Sequence, residues 1–263
     1  MKKLIALLLA LVMVIGLVAC GTTTPETPAT DAPATEAPAT EAPATEAPIA
    51  EATEEVTEAG AATMTYAEYA AAELDTAVTV EMYVQATQSW WDNKITVYAA
   101  DQDGAYFVYE LACSEEDAAK LIPGTKICVT GYKGAWAGEV EIMDATFTFV
   151  EGADTYIAEP VDATALLGTE ALIDLQNQKV SFTGLTIEGI TYKNDEPGDD
   201  IYVDVSLDGT TYNFCVERYL TGPETEVYQT VGTLNVGDVV NVEGFLYWYE
   251  GVNTHITAIT VAE

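Results

Sequence analysis

One eight-residue pattern occurs twice in this chain. Gly124-Thr-Lys-Ile-Cys-Val-Thr-Gly131 returns as Gly237-Asp-Val-Val-Asn-Val-Glu-Gly244, 113 residues further on. In both copies an apolar residue, a polar or small one and a second apolar residue lead to a closing glycine. Period-two alternation is the mark of a half-buried strand. A strand repeated at a fixed offset requires its neighbours to be repeated as well, so the rest of the plan can be sought around each copy.

It is there. Val78-Thr-Val80-Glu-Met82-Tyr-Val84, Ile95-Thr-Val97-Tyr-Ala99 and Tyr106-Phe-Val108-Tyr-Glu110-Leu precede the first copy, with Asp103-Gly104 as a hairpin signal between the last two. Ser114-Glu-Glu-Asp117 starts a short helix, with Ser as N-cap and acids in the first turn, and Pro123-Gly124 ends it. Glu139 to Phe149 gives a fifth strand. The second set is Lys179-Val180-Ser-Phe182-Thr-Gly184-Leu185, Ile201 to Val205, the turn Asp208-Gly209, Tyr212 to Val216, a helix within Pro223 to Val231, and finally His255 to Val261. Gly184 suits a bulge inside its strand. Met82 holds the matching place in the first copy, so the bend there needs another device. Each copy has a helical lead-in: Thr65-x-x-Glu68 is a capping box ahead of Tyr69 to Leu74, and Asp162 can cap Ala163 to Leu167, with Thr169 to Leu175 following.

Three strands, a helix and two strands resemble the OB-fold, a five-stranded Greek-key barrel. The expected fold class is therefore all-β with short helices: two tandem five-stranded OB-like barrels, at residues 64–152 and 160–263, after an unfolded tether. Another small barrel or a sandwich is the competing architecture. Ala153 to Pro160 is a short joint, which would set the barrels close together.

Residues 1–63 contain no aromatic side chain, whereas all 15 Tyr, 6 Phe and 4 Trp lie at or beyond Tyr66. Residues 21–63 also lack Lys and Arg and repeat Ala-Thr-Glu-Ala-Pro, as in Ala34 to Pro38 and Ala39 to Pro43. Such a segment cannot bury enough apolar surface to offset its ordering entropy. Its regular prolines favour extended polyproline II, with a reach on the order of 130 Å. Ahead of it, Lys2 and Lys3 are followed by an apolar run ending in Leu17-Val18-Ala19-Cys20. That run reads as a secretory signal, too short to span a bilayer comfortably. Leu-Val-Ala-Cys resembles the lipobox of bacterial lipoproteins. The resemblance implies that residues 1–19 are removed, that Cys20 is lipidated, and that the protein is extracytoplasmic, with a membrane as its first partner. An ordinary signal peptide is the alternative.

The net charge of −34 weighs against some functions. Residues 64–263 hold 34 of the 43 acids against 7 bases, and both copies are acidic. Single-stranded nucleic-acid binders need a basic groove beside their stacking rings. Here only Lys94 and Lys133 flank the first copy's site, so nucleic acid is an unlikely partner. Solubility explains the charge, and so does a cationic or neutral partner.

The resemblance to OB-folds also implies a ligand face on the second and third strands, flanked by the first and fourth loops. In the first copy those loops run from Gln88 to Lys94 and from Tyr132 to Gly138, bringing Trp90, Trp91, Lys94, Tyr132 and Trp136 to the site. In the second they run from Tyr192 to Asp200 and from Tyr247 to Gly251, bringing Tyr192, Tyr247, Trp248 and Tyr249. Either these rings stack on a ligand or they plug the barrel ends. Asp195, Glu196, Asp199 and Asp200 are hard oxygen donors suited to Ca²⁺, but their spacing matches no EF-hand, and a solvated acidic loop is the simpler reading. Cys113, Cys128 and Cys215 contain no CxxC; they are free thiols or include a Cys113–Cys128 bridge. The single His255 reads as a solvent-facing strand residue. No catalytic motif is present, which leaves only a two-carboxylate glycosidase formally open. No cofactor is implied. The expectation is a non-enzymatic binding module for a glycan or a protein, or else an assembly component of the cell envelope.

Overall fold

A computed structural model describes residues 62–262. The signal segment, Cys20 and the Ala/Thr/Glu/Pro-rich tether lie outside the described residues. Within them the chain is mostly β, with short helices.

The first copy contains α1 (Tyr66–Ala71), β1 (Ala77–Thr87), β2 (Lys94–Ala100), β3 (Ala105–Ala112), α2 (Glu115–Ala118), β4 (Lys126–Trp136) and β5 (Glu139–Phe149). The strands close into a barrel in the order β1-β2-β3-β5-β4, the OB-like Greek key. Thr65 and Glu68 form the complete capping box of α1. Ser114 caps α2 by accepting from the Asp117 N–H. The bend that Met82 could not supply comes from Gln85: Val84 pairs with Ala99 and Ala86 with Tyr98, leaving Gln85 as the extra residue. Its buried amide is used as well, accepting from Ala158 N–H at 2.8 Å and donating to Tyr156 O at 3.2 Å, which fastens the joint to the barrel.

The second copy contains β6 (Val161–Asp162), β7 (Lys179–Tyr192), β8 (Ile201–Leu207), β9 (Thr210–Val216), α3 (Glu226–Val231), β10 (Val239–Phe245) and β11 (His255–Val261). Its sheet has six strands rather than five, in the order β10-β11-β9-β8-β7-β6, because β6 adds to β7. β10 also pairs with β7, so the strand pairings run in the same ring as in the first copy. Gly184, at φ +71°, sits in the expected bulge: Thr183 and Gly184 together oppose Asn241. The lead-in segments expected to be helical are 3-10 turns, at Thr164–Leu166 and Glu170–Leu175.

Each copy has its own apolar core, built on Met82, Val97, Tyr106 and Ile127 in the first and on Phe182, Ile187, Phe214 and Val240 in the second. A third cluster joins them: Tyr98, Phe107 and Phe245 are buried together, with Leu220 and Tyr247 at its edge. Tyr98 points outward from its own barrel yet is only 1% exposed, because the second copy covers it. β2 is thus buried on both faces beyond Lys94, where alternation alone predicts a wet side. Polar contacts follow the same seam. Ser89 N–H donates to Tyr219 O at 2.7 Å, Gln176 Nε2 to Gly138 O at 2.9 Å, Asn177 Nδ2 to Val140 O at 3.0 Å and Glu250 N–H to Ala137 O at 2.7 Å.

Candidate functional site: an aromatic groove across the seam

Where the two copies meet, they leave a cleft of about 700 Å³. The first copy lines it with Phe107 and Tyr109 from β3, Trp136 from β4, and Glu141 and Met143 from β5. The second contributes Tyr202, Asn213 and Cys215, then Glu217, and Tyr247, Tyr249, Asn253 and His255 from or beside the β10–β11 loop. A side pocket of about 310 Å³ adjoins it, lined by Trp91, Lys94, Glu110 and Tyr219 among others; Gln88 and Tyr109 line both. The two hollows therefore share a wall. Trp91 is 74% exposed and Trp136 55%, and Tyr109, Tyr219 and Tyr249 are exposed too. Trp136 and Tyr249, one from each copy, stand 5.1 Å apart.

Local chain geometry explains which rings are free. Tyr132, Lys133 and Trp136 were expected in a loop but belong to β4, which runs on to a tight turn at Ala137 (φ +51°) and Gly138 (φ +98°). Trp136 stands at the end of that long hairpin, over the cleft. Tyr132 is exposed on the same strand but pairs beside Ala77 and lines neither hollow. Lys133 is buried. Its ammonium is held by the carbonyls of Tyr69, Ala70 and Ala72 at the end of α1, at 2.8–3.0 Å, and so is no part of a ligand site.

Three other expected contacts are partly buried rings packed against the cores. The Trp90 indole donates to Cys113 O at 2.8 Å and packs on the first core. Tyr192 packs on the second core beside Tyr228. Trp248 does so as well, while its backbone N–H donates to Glu139 Oε2 at 2.8 Å. These rings pack over the two cores and line neither hollow. Lys94 begins β2 and is paired with Glu110 at 2.6 Å.

His255 is not solvent-facing. It is 6% exposed, stacked on Tyr247 at 4.3 Å, with Nδ1 2.5 Å from the Tyr98 hydroxyl. Burial pushes its pKa down to about 3, so the ring is neutral at physiological pH. The carboxylates move the other way. Burial raises Glu217 to about 7 and Glu139 to about 8, and raises Glu141 as well. Glu139 Oε1 and Asn177 Oδ1 are buried with no hydrogen-bond partner among the described residues. A proton on Glu139 gives that oxygen something to donate.

The acidic loop does not gather a metal cage. Lys193 takes Asp200 at 2.8 Å and Asp199 at 3.6 Å, Asp200 also accepts from Arg218 N–H, and Asp195 and Glu196 are exposed. Cys113, Cys128 and Cys215 are free thiols.

Sequence reasoning missed Tyr109, Tyr219, Glu141 and Glu217. Tyr109 had a signal: Phe107 and Tyr109 alternate with the core residues Tyr106 and Val108 on the third strand. Tyr219 and Glu217 had none, since they follow β9 in a segment with no strand or helix pattern.

No protein-family model matches the chain, and no curated protein matches it. Among solved structures, asparaginyl-tRNA synthetase from Pyrococcus horikoshii with asparaginyl-adenylate is similar at 19% identity and TM-score 0.28, over 34% of this chain and 20% of that one. The chain thus matches only about a fifth of that enzyme's length. A murine DNA-binding protein bound to double-stranded DNA is similar at 11% identity and TM-score 0.36, over 70% and 96% of the two chains. The Ifi202 HINa domain with double-stranded DNA follows at 10% and 0.33, over 69% and 92%. Likeness at this level carries nothing about activity.

Proposed function

We propose that the chain is a non-enzymatic, extracytoplasmic binding module, held to a membrane by a lipidated Cys20, and that its ligand is a glycan seated in the groove across the seam. The observation that carries the reading is the row of exposed rings Trp91, Tyr219, Tyr109, Trp136 and Tyr249 along two adjoining hollows. Isolated exposed rings need no explanation, but a contiguous set in a concavity marks a binding site. Flat aromatic faces suit the C–H faces of sugars, and Gln88, Asn213 and Asn253 offer both donors and acceptors to hydroxyls. A nucleic acid meets no basic groove here: Lys133 is spent on α1 and Lys94 on Glu110. The lipobox resemblance and the proline-rich segment support the anchored, extended display.

A glycan array probed with the full chain tests this. A hit is expected, weakened at least about tenfold by Trp136→Ala and unchanged by Tyr132→Ala, whose ring is exposed off the groove. Release of new reducing ends from the bound glycan contradicts a non-enzymatic role. No hit, together with an envelope protein retained through Trp136, replaces it with assembly. The anchor is tested by mass spectrometry of the chain from bacterial membranes: a diacylated N-terminal Cys20 is expected, and an unmodified Cys20 contradicts it.

A further inference from the structure

Glu141 is the unexplained group in the groove. It lines the cleft, is only 4% exposed, and has no hydrogen-bond or ion-pair partner among the described residues. A buried carboxylate without a partner is costly in its ionised form. The other acids nearby are better provided for. Asp200 is paired with Lys193, Glu217 Oε2 accepts from Leu220 N–H at 2.8 Å, and Glu139 accepts from Trp248 N–H on Oε2, with only its Oε1 left unpartnered. No Lys or Arg lines the cleft. The nearest basic residue by sequence on β4, Lys133, is committed to the carbonyls of α1. The same cleft is lined by the rings of Tyr109, Trp136, Tyr247 and Tyr249, and ring faces attract cations. Carboxylate and rings thus favour the same sign of charge in the cleft; of the bases beside the adjoining pocket, Lys94 is paired with Glu110 and Arg218 lies over the Tyr219 ring.

We infer that the ligand presents a protonated amine to Glu141, so that the groove selects glycans with free amino groups over their neutral, N-acetylated counterparts. This rests on the glycan reading above. An ammonium supplies the donor that Glu141 lacks and gains cation–π contact from the surrounding rings. An N-acetyl group supplies a weaker, uncharged donor and leaves the carboxylate to be buried unpaired or protonated.

The test titrates the full chain with a glucosamine hexasaccharide, an N-acetylglucosamine hexasaccharide and an oligogalacturonate, at about pH 6.5 and ~0.15 M salt, where the Debye length is about 8 Å. The expected order is the amine first by at least about tenfold, the N-acetylated chain second, and no binding of the polyanion. Glu141→Gln is expected to shrink the amine preference at least about fivefold. Glu151→Gln removes the same charge from an exposed site off the groove and leaves the preference unchanged. Equal binding of the two hexasaccharides, or equal loss of preference in both variants, overturns the inference while the glycan reading stands. Failure of both hexasaccharides to bind, with neutral array hits retained, likewise overturns only the inference; an empty array overturns both.

Discussion

The two copies share a strand plan and differ in how they use their last hairpin. In the first copy β4 and β5 run to a two-residue turn, so Trp136 stands clear at its end. In the second, β10 and β11 are joined by residues 246–254, and that loop folds onto the first copy. It gives Trp248 to the second core, the Trp248 N–H to Glu139 and the Glu250 N–H to Ala137, leaving Tyr249 exposed opposite Trp136. The same plan thus yields a projecting arm in one copy and a brace in the other. The groove is the space between them. Equivalence of sequence position therefore says little about equivalence of role.

The comparison can be broken first at its shared points. Gly131 and Gly244 are the closing glycines of the repeated motif. A Cβ at Gly131 would lie 2.7 Å from the Met143 carbonyl, and one at Gly244 would collide with the His255 carbonyl. Backbone cannot yield as a side-chain tip does. Gly131→Ala and Gly244→Ala are each expected to cost about 3 kcal/mol, read as a lowered denaturant midpoint. Tolerance of either change would show that the close approach is not needed.

The brace comes next. Trp248→Ala should lose about 2 kcal/mol, since the ring is only partly buried, whereas Trp136→Ala should change stability by less than about 0.5 kcal/mol. Equal costs would erase the distinction between brace and arm.

The seam should also titrate. Glu139 carries a folded pKa of about 8 against an ordinary 4.5. Between those values the fold keeps a proton that the unfolded chain releases, so stability falls as pH rises from about 4.5 to 8 and levels off above it. Glu217, at about 7, adds to the same slope. Glu139→Gln should flatten the fall by up to about 5 kcal/mol, measured by urea unfolding at several pH values. An unchanged slope would mean that Glu139 is ionised in the fold.

Smallest is the bend. Gly184 holds φ +71° with open space around it, so Gly184→Ala should cost about 1 kcal/mol from backbone conformation alone. Gln85 is the extra residue of the first copy's bend, and Gln85→Ala frees the joint at Tyr156 and Ala158.

The strand plan was legible because strand alternation, Asp-Gly turns and helix caps are local signals. Asp208 and Gly209 both adopt positive φ in their two-residue turn, and Thr65 and Ser114 cap the helices as read. The seam was not legible. Tyr98 and Phe107 are outward residues of their own sheet, buried against Phe245 and Tyr247 of the other copy, and His255 lies between Tyr247 of its own copy and Tyr98 of the other. Nor could loop aromatics be sorted: Trp90 and Trp91 are adjacent, yet one donates into its barrel and the other faces water.

The central claim is that both copies build one binding surface. A double-mutant cycle on Trp136→Ala and Tyr249→Ala, with affinity for the glucosamine hexasaccharide as readout, tests it most directly. Each change is predicted to weaken binding about tenfold, and the pair together by clearly less than a hundredfold, because the two rings stand 5.1 Å apart and serve one ligand. Loss of binding with only one of the two variants, or with neither, would contradict a groove made by both.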